Sequence, residues 1–179
     1  MVELIPSQGG LPGCRRVRGL TAITIRHFPG DASAAEAVRT QGLVWSNLPG
    51  ELSGSEPWLA WRSPNETIAL GFTAAPIQAV LAALAPGRSA SAMAANLSDA
   101  LAVFELHGPR IDEWLAHLVD ASSIPRDPGR CSRSRLADAA VMLLRLQADR
   151  LWLVVDGPVA TYLENWLAFS HEGAFAPIL

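Results

Sequence analysis

The sequence predicts an α+β fold: two βαββαβ-type units, a pseudo-duplication, with helices packed on antiparallel sheets. Three observations carry this expectation. Residues 139–146 form a nearly continuous apolar run of strand length, 147–150 a short polar break, and 151–155 a second apolar run suited to a pleated surface, so the three read as a hairpin. After Asp156-Gly157-Pro158 the period changes. Val159, Tyr162, Leu163, Trp166 and Leu167 recur at i, i+3, i+4, i+7 and i+8, the stripe of an amphipathic helix, and Pro158 suits its first turn. The third observation is repetition: residues 20–97 read β-α-β-β-α-β and residues 100–169 read β-α-β-β-α.

Taken in order, residues 1–19 hold Pro6, Gly9, Gly10, Pro12, Gly13 and Gly19 and read as an irregular N-terminal arm. Residues 20–28 alternate as a first strand and Pro29-Gly30 turns the chain. Asp31 or Ser33 is positioned to cap a helix through Ala34, Ala35, Ala37 and Val38 that Gly42 ends. Residues 46–57, rich in Gly, Ser, Pro and Asn, read as a mobile or partner-ordered loop. Residues 58–61 and 67–72 are hairpin mates around the turn Ser63-Pro64-Asn65-Glu66. Residues 75–84 carry helical spacing up to Pro86-Gly87, and 89–97 form a small-residue strand. The second half opens with a strand at 100–106. A helical stripe of Ile111, Trp114, Leu115 and Leu118 follows, then a polar loop over 120–130. Residues 20–169 are thus expected to form a single α+β domain, with residues 170–179 as a C-terminal tail.

Composition narrows the function. Of 179 residues half are hydrophobic and 17% charged, below the roughly 25% of an average soluble domain. Six tryptophans either fill the core or mark a contact surface, since aromatic residues concentrate at interfaces. The net charge of −3 does not support a sequence-independent grip on nucleic-acid phosphates. Cys14 and Cys131 form no metal-ligand spacing, which argues against zinc and suits a reducing compartment. No signal sequence is read at the N-terminus and no apolar run reaches the roughly 18–20 residues of a membrane span, so a cytoplasmic protein is expected.

No self-sufficient active site is legible. Gly9-Gly10-Leu11-Pro12-Gly13 follows no strand and lacks the lysine of a phosphate loop, and there is no Gly-x-Ser-x-Gly elbow. His27, His107, His117 and His171 are scattered. His107 closes a strand beside Gly108, where such a residue is more often structural than catalytic. Asp112 and Glu113 open a helix, where the dipole accounts for them. No catalytic, cofactor-binding or metal-binding residue is assigned.

Residues 96–109, Asn-Leu-Ser-Asp-Ala-Leu-Ala-Val-Phe-Glu-Leu-His-Gly-Pro, resemble the Asp-x-Ser…Leu-x-Gly segment of the folate-binding, aminomethyltransferase-like superfamily, with Asn96 in place of its Asp. A helix, the loop Ile124-Pro125-Arg126-Asp127-Pro128-Gly129, then Cys131-Ser132-Arg133-Ser134-Arg135-Leu136, an apolar hairpin and a Gly-Pro…Trp-Leu helix follow in the order of the gamma subunits of heterotetrameric sarcosine oxidases. Ser63-Pro64-Asn65-Glu66-Thr67-Ile68 stands where those subunits carry a Gly-Pro-Asp-Glu-Trp-Leu type of motif. The resemblance spans residues 20–169. It implies a fold like the folate-binding domain of the glycine-cleavage T-protein, and a non-flavin subunit of a complex that demethylates sarcosine to glycine. It further implies larger flavin-bearing partner subunits, which hold FAD, FMN and NAD, with tetrahydrofolate taking the one-carbon unit. The other reading is a self-standing folate-binding protein or aminomethyltransferase-like enzyme, for which the chain is short. For a subunit, the expected docking residues are Trp45, Trp58 and Trp61, which flank the loop-rich segment. Arg133 and Arg135, at i and i+2 on one strand face, are the second expected group.

Overall fold

A computed structural model describes residues 2–30, 32–46 and 48–175. The chain divides into two compact units. One is Gly19–Asp99; the other joins the chain up to Arg18 to the chain from Ala100 onward.

The Gly19–Asp99 unit holds β3 (Thr21–His27), α1 (Ser33–Arg39), β4 (Leu52–Ser53), β5 (Trp58–Ser63), β6 (Glu66–Gly71), α2 (Ala74–Ala83) and β7 (Ala92–Asn96). Its sheet runs β4-β5-β6-β3-β7, every neighbour antiparallel. Ile23, Ile25, Leu59, Ala69 and Ala94 on one face of that sheet share a core with Ala34 and Val38 of α1 and Ile77 and Val80 of α2. This follows the strand period of two and the helix period of 3.6. One expectation for α1 changes. Its N-cap is Ala32, with no side-chain cap hydrogen bond, and Ser33 is already inside the helix; Asp31 lies outside the described residues. Gly42 does end the helix, at a φ of 72°.

The other unit holds β1 (Val2–Ile5), β2 (Gly13–Val17), β8 (Leu101–His107), α3 (Ile111–Ala116), β9 (Arg130–Leu136), β10 (Ala139–Gln147), β11 (Arg150–Asp156) and α4 (Ala160–Phe175). Its sheet runs β1-β2-β8-β11-β10-β9, again antiparallel throughout. Phe104, Leu106, Leu143, Leu151 and Leu153 pack with Trp114 and Leu115 of α3 and Leu163 and Leu167 of α4. The β10–β11 hairpin turns at Ala148-Asp149, within the expected polar break.

The two sheets share one topology. Matching β3, β5, β6 and β7 to β8, β10, β11 and β2 gives the same order in both, with α1 and α2 matched to α3 and α4. Each is a split βαβ arrangement with an added edge strand, β4 or β9, and the second sheet also carries β1 at its other edge. The closing strand that the second half lacks in its own sequence comes from the N-terminus. The stretch expected to be irregular therefore holds β1 and β2, and β2 pairs with β8 from Gly13↔His107 to Val17↔Val103. Its glycines and prolines suggest a loop, but β8 offers it a row of unpaired N–H and C=O groups. The chain from Cys131 to Leu136 is likewise a strand, so this half reads β-α-β-β-β-α. Residues 170–175, expected in a tail, continue α4, and His171 Nε2 lies 2.9 Å from the Pro12 carbonyl oxygen. Residues 46–57 include β4, with Leu52 and Ser53 buried and the Ser53 hydroxyl donating to the Val44 carbonyl at 2.7 Å.

Candidate docking surfaces

The buried charges of the β1–β2–β8 unit are tied into the fold. Glu105, fully buried at the centre of β8, stands between Arg15 on β2 and Trp152 on β11 in register. It pairs with Arg15, accepts from Arg150 Nε at 2.7 Å and from Trp152 Nε1 at 2.8 Å. Burial alone would raise its carboxyl, but the hydrogen bonds from Trp152, Arg150 and Arg15 outweigh it and hold the group below the ordinary carboxylate range. Arg145, fully buried on β10, pairs with Asp112 at the start of α3 and donates to the Pro125 carbonyl at 2.9 Å. These groups hold elements together and face no open cavity among those described. Burial pushes the Cys14 thiol far up, so it stays protonated and unreactive.

The histidines do not converge. His107 lies 3.6 Å from Glu3, with its Nδ1 buried and unpartnered among the described residues. His171 stacks edge-on to Trp114, whose Nε1 donates to Ser170 at 2.8 Å. His27 meets Trp45 edge-on at 5.1 Å. Among the described residues no His, Cys, Asp and Glu cluster is arranged to hold a metal.

An open groove of about 560 Å³ in the Gly19–Asp99 unit is lined by Arg26, His27, Phe28, Glu66, Ser91 and Met93, among others. Its charges are spoken for: Glu66 accepts from Thr24 at 2.8 Å and from Arg62 at 3.2 Å, and lies 3.6 Å from Arg26. Of its serines, Ser63 bonds Asn65 at 3.3 Å, and Ser89 and Ser91 lie 3.4 Å apart.

The expected docking residues divide. Trp45 is a core residue, packed with Ile23, Ile25 and Val38, and its Nε1 is buried without a partner among the described residues. That burial speaks against a role as a surface anchor, since its apolar area is better placed in the core than in water. Trp58 and Trp61 are half-buried on β5. Arg133 and Arg135 are exposed on β9, the edge strand, and Arg135 donates to the Asp138 carbonyl at 2.8 Å.

A surface that sequence reasoning missed lies on α4. Ala160, Leu163 and Leu167 face the core, while Tyr162, Trp166 and Phe169 are exposed. The three rings touch edge-to-face in series, at 6.4 Å for Tyr162–Trp166 and 6.0 Å for Trp166–Phe169. At about 100° per residue, this ridge sits roughly 130° around the helix from the buried residues. The combined stripe read from the sequence mixed the two faces. The signal that separates them is the 162, 166, 169 spacing of aromatics beside the 160, 163, 167 spacing of aliphatics.

No family model and no curated protein sequence matches the chain. Solved structures do. A chain of heterotetrameric sarcosine oxidase from Corynebacterium sp. U-96, in complex with pyrrole 2-carboxylate, superposes with a TM-score of 0.82 at 21% identity, covering 98% of this chain and 91% of that one. Glycine cleavage system aminomethyltransferase T from Bartonella henselae superposes with a TM-score of 0.56 at 14% identity, covering 92% of this chain but 46% of its own. The resemblance read from residues 20–169 thus holds as a likeness of fold: this chain has the α+β fold of a chain of heterotetrameric sarcosine oxidase, and of about half of an aminomethyltransferase T.

Proposed function

We propose that this chain is a non-flavin small subunit, of the gamma type, in a heterotetrameric sarcosine oxidase or a close counterpart, with a structural and assembly role. The observation that carries the reading is the end-to-end likeness to one chain of such an assembly, with little left over on either side. The aminomethyltransferase T likeness covers 46% of that enzyme's chain, so it supports a fold shared with part of that enzyme. In this reading the oxidative demethylation of sarcosine belongs to larger flavin-bearing subunits that hold FAD, FMN and NAD, and tetrahydrofolate receives the one-carbon unit.

The test is purification of the tagged chain from its native cells at low salt, with the absorption spectrum of the eluate recorded. The expected result is larger partners with flavin bands and sarcosine-dependent oxygen uptake. A colourless single species overturns the reading. Saturable folate binding by that isolated chain would then favour a self-standing folate-binding protein.

A further inference from the structure

Resting on that reading, we propose that the α4 ridge of Tyr162, Trp166 and Phe169 is the anchor by which this chain docks into an apolar groove on a larger, different subunit. Three observations select this occupant. The rings are exposed at 42%, 38% and 69% and are in contact with one another. Contiguous exposed aromatics of this kind mark contact surfaces, and Trp and Tyr are the residues that most often carry the binding energy.

Charge comes second. The other exposed residues of this stretch, Thr161, Asn165 and Ala168, are uncharged. Glu164 is turned to Arg16, which donates to it at 2.8 Å, and the exposed Glu172, one turn beyond Phe169, sets a single carboxylate at the end of the ridge. A charged partner surface over the rings would lose its hydration without receiving a counter-charge, so the surface that meets them is apolar, and a cation fits only at its Glu172 end. One indole N–H and one phenol hydroxyl ask for acceptors at its rim.

Area separates a different chain from a second copy. Three rings so exposed present on the order of 300 Å². A two-fold pairing of ridge on ridge would bury that amount per copy, well short of the roughly 800 Å² per partner of a stable interface. A concave partner that wraps the ridge and its flanks reaches that area.

The experiment uses the full chain within the native complex. A benzophenone amino acid at position 169 is photo-crosslinked and the adduct mapped. In parallel, the Trp166→Ala/Phe169→Ala double variant is compared with wild type for retained partner, with its thermal midpoint as a fold check. Both rings are exposed, so the fold is expected to survive. The expected result is a crosslink to an apolar segment of a larger flavin-bearing subunit, and a loss of retained partner of at least about tenfold. Full retention by a folded double variant overturns the ridge while leaving the subunit reading intact. A crosslink to a second copy of this chain also overturns it. If wild type brings down no larger subunit, the subunit reading fails and the proposal falls with it.

Discussion

Glu56 caps the helix that begins after Thr73, seventeen residues further along the chain: its carboxylate accepts the Thr73 N–H at 3.0 Å and also bonds the Thr73 hydroxyl and the Phe72 N–H. Thr73 is the N-cap of α2 but makes no side-chain cap bond of its own. A carboxylate from the loop before β5 therefore satisfies orphan donors at the positive end of the helix. Gly71 leaves the space, since a Cβ there would collide with Glu56 and with Pro57.

Glu56→Gln should cost about 1 kcal/mol at neutral pH, the ordinary worth of a helix cap, read as a lower urea midpoint. The pH dependence has a definite sign. Partial burial would raise the carboxyl, but the Thr73 hydroxyl and the Thr73 and Phe72 amides hold it below its ordinary 4.5. The stabilisation is present above that ordinary value and is lost as pH falls through the lower folded value. The gap between wild type and variant should narrow on acidification below about 4.5. A gap that stays constant down to pH 2 would show that the charge is irrelevant.

Glu105→Gln should cost about 2–3 kcal/mol. Breaking a buried ion pair typically costs about 3–5, but here Arg15 and Arg150 each keep 30% access to water, which softens the loss. Because Trp152 donates to the same carboxylate, its fluorescence should shift with the substitution even where the protein stays folded.

Gly13→Ala tests the N-terminal strand. A Cβ at that position would stand 2.7 Å from the Ser7 nitrogen and 2.8 Å from both the Ile5 oxygen and His107 Nε2. The expected loss is about 1–3 kcal/mol, with faster hydrogen exchange at the amides of residues 13–17. Unchanged protection there would mean that β1 shifts away freely.

Trp45→Ala separates core from interface. Its burial predicts a stability loss of about 3–5 kcal/mol, seen in the urea midpoint. A variant that folds normally yet loses its partner would restore Trp45 as an anchor.

Charge reversal at Arg133 and Arg135 should slow association with a partner subunit and flatten or invert its salt dependence, because both are exposed on the edge strand β9 and reversal replaces a screened attraction by a screened repulsion. The readout is the association rate at two ionic strengths. Identical rates place the interface elsewhere.

The sequence by itself determined what depends on neighbours a few positions apart. The β5–β6 and β10–β11 hairpins, the stripes of α2 and α3, and the end of α1 at Gly42 were all legible, because strand and helix periods and turn residues are local signals. The tertiary structure decided the rest. Arg15 lies in a stretch that reads as an irregular arm until β2 lies beside β8 and sets it against Glu105, ninety residues away. Tyr162 and Trp166 share a helical stripe with Leu163 and Leu167, and only the packing of α4 on its sheet turns one pair outward. No local pattern records these choices. They follow from which unpaired strand edge a distant segment can satisfy, and from which of two apolar helix faces fits the space beneath it.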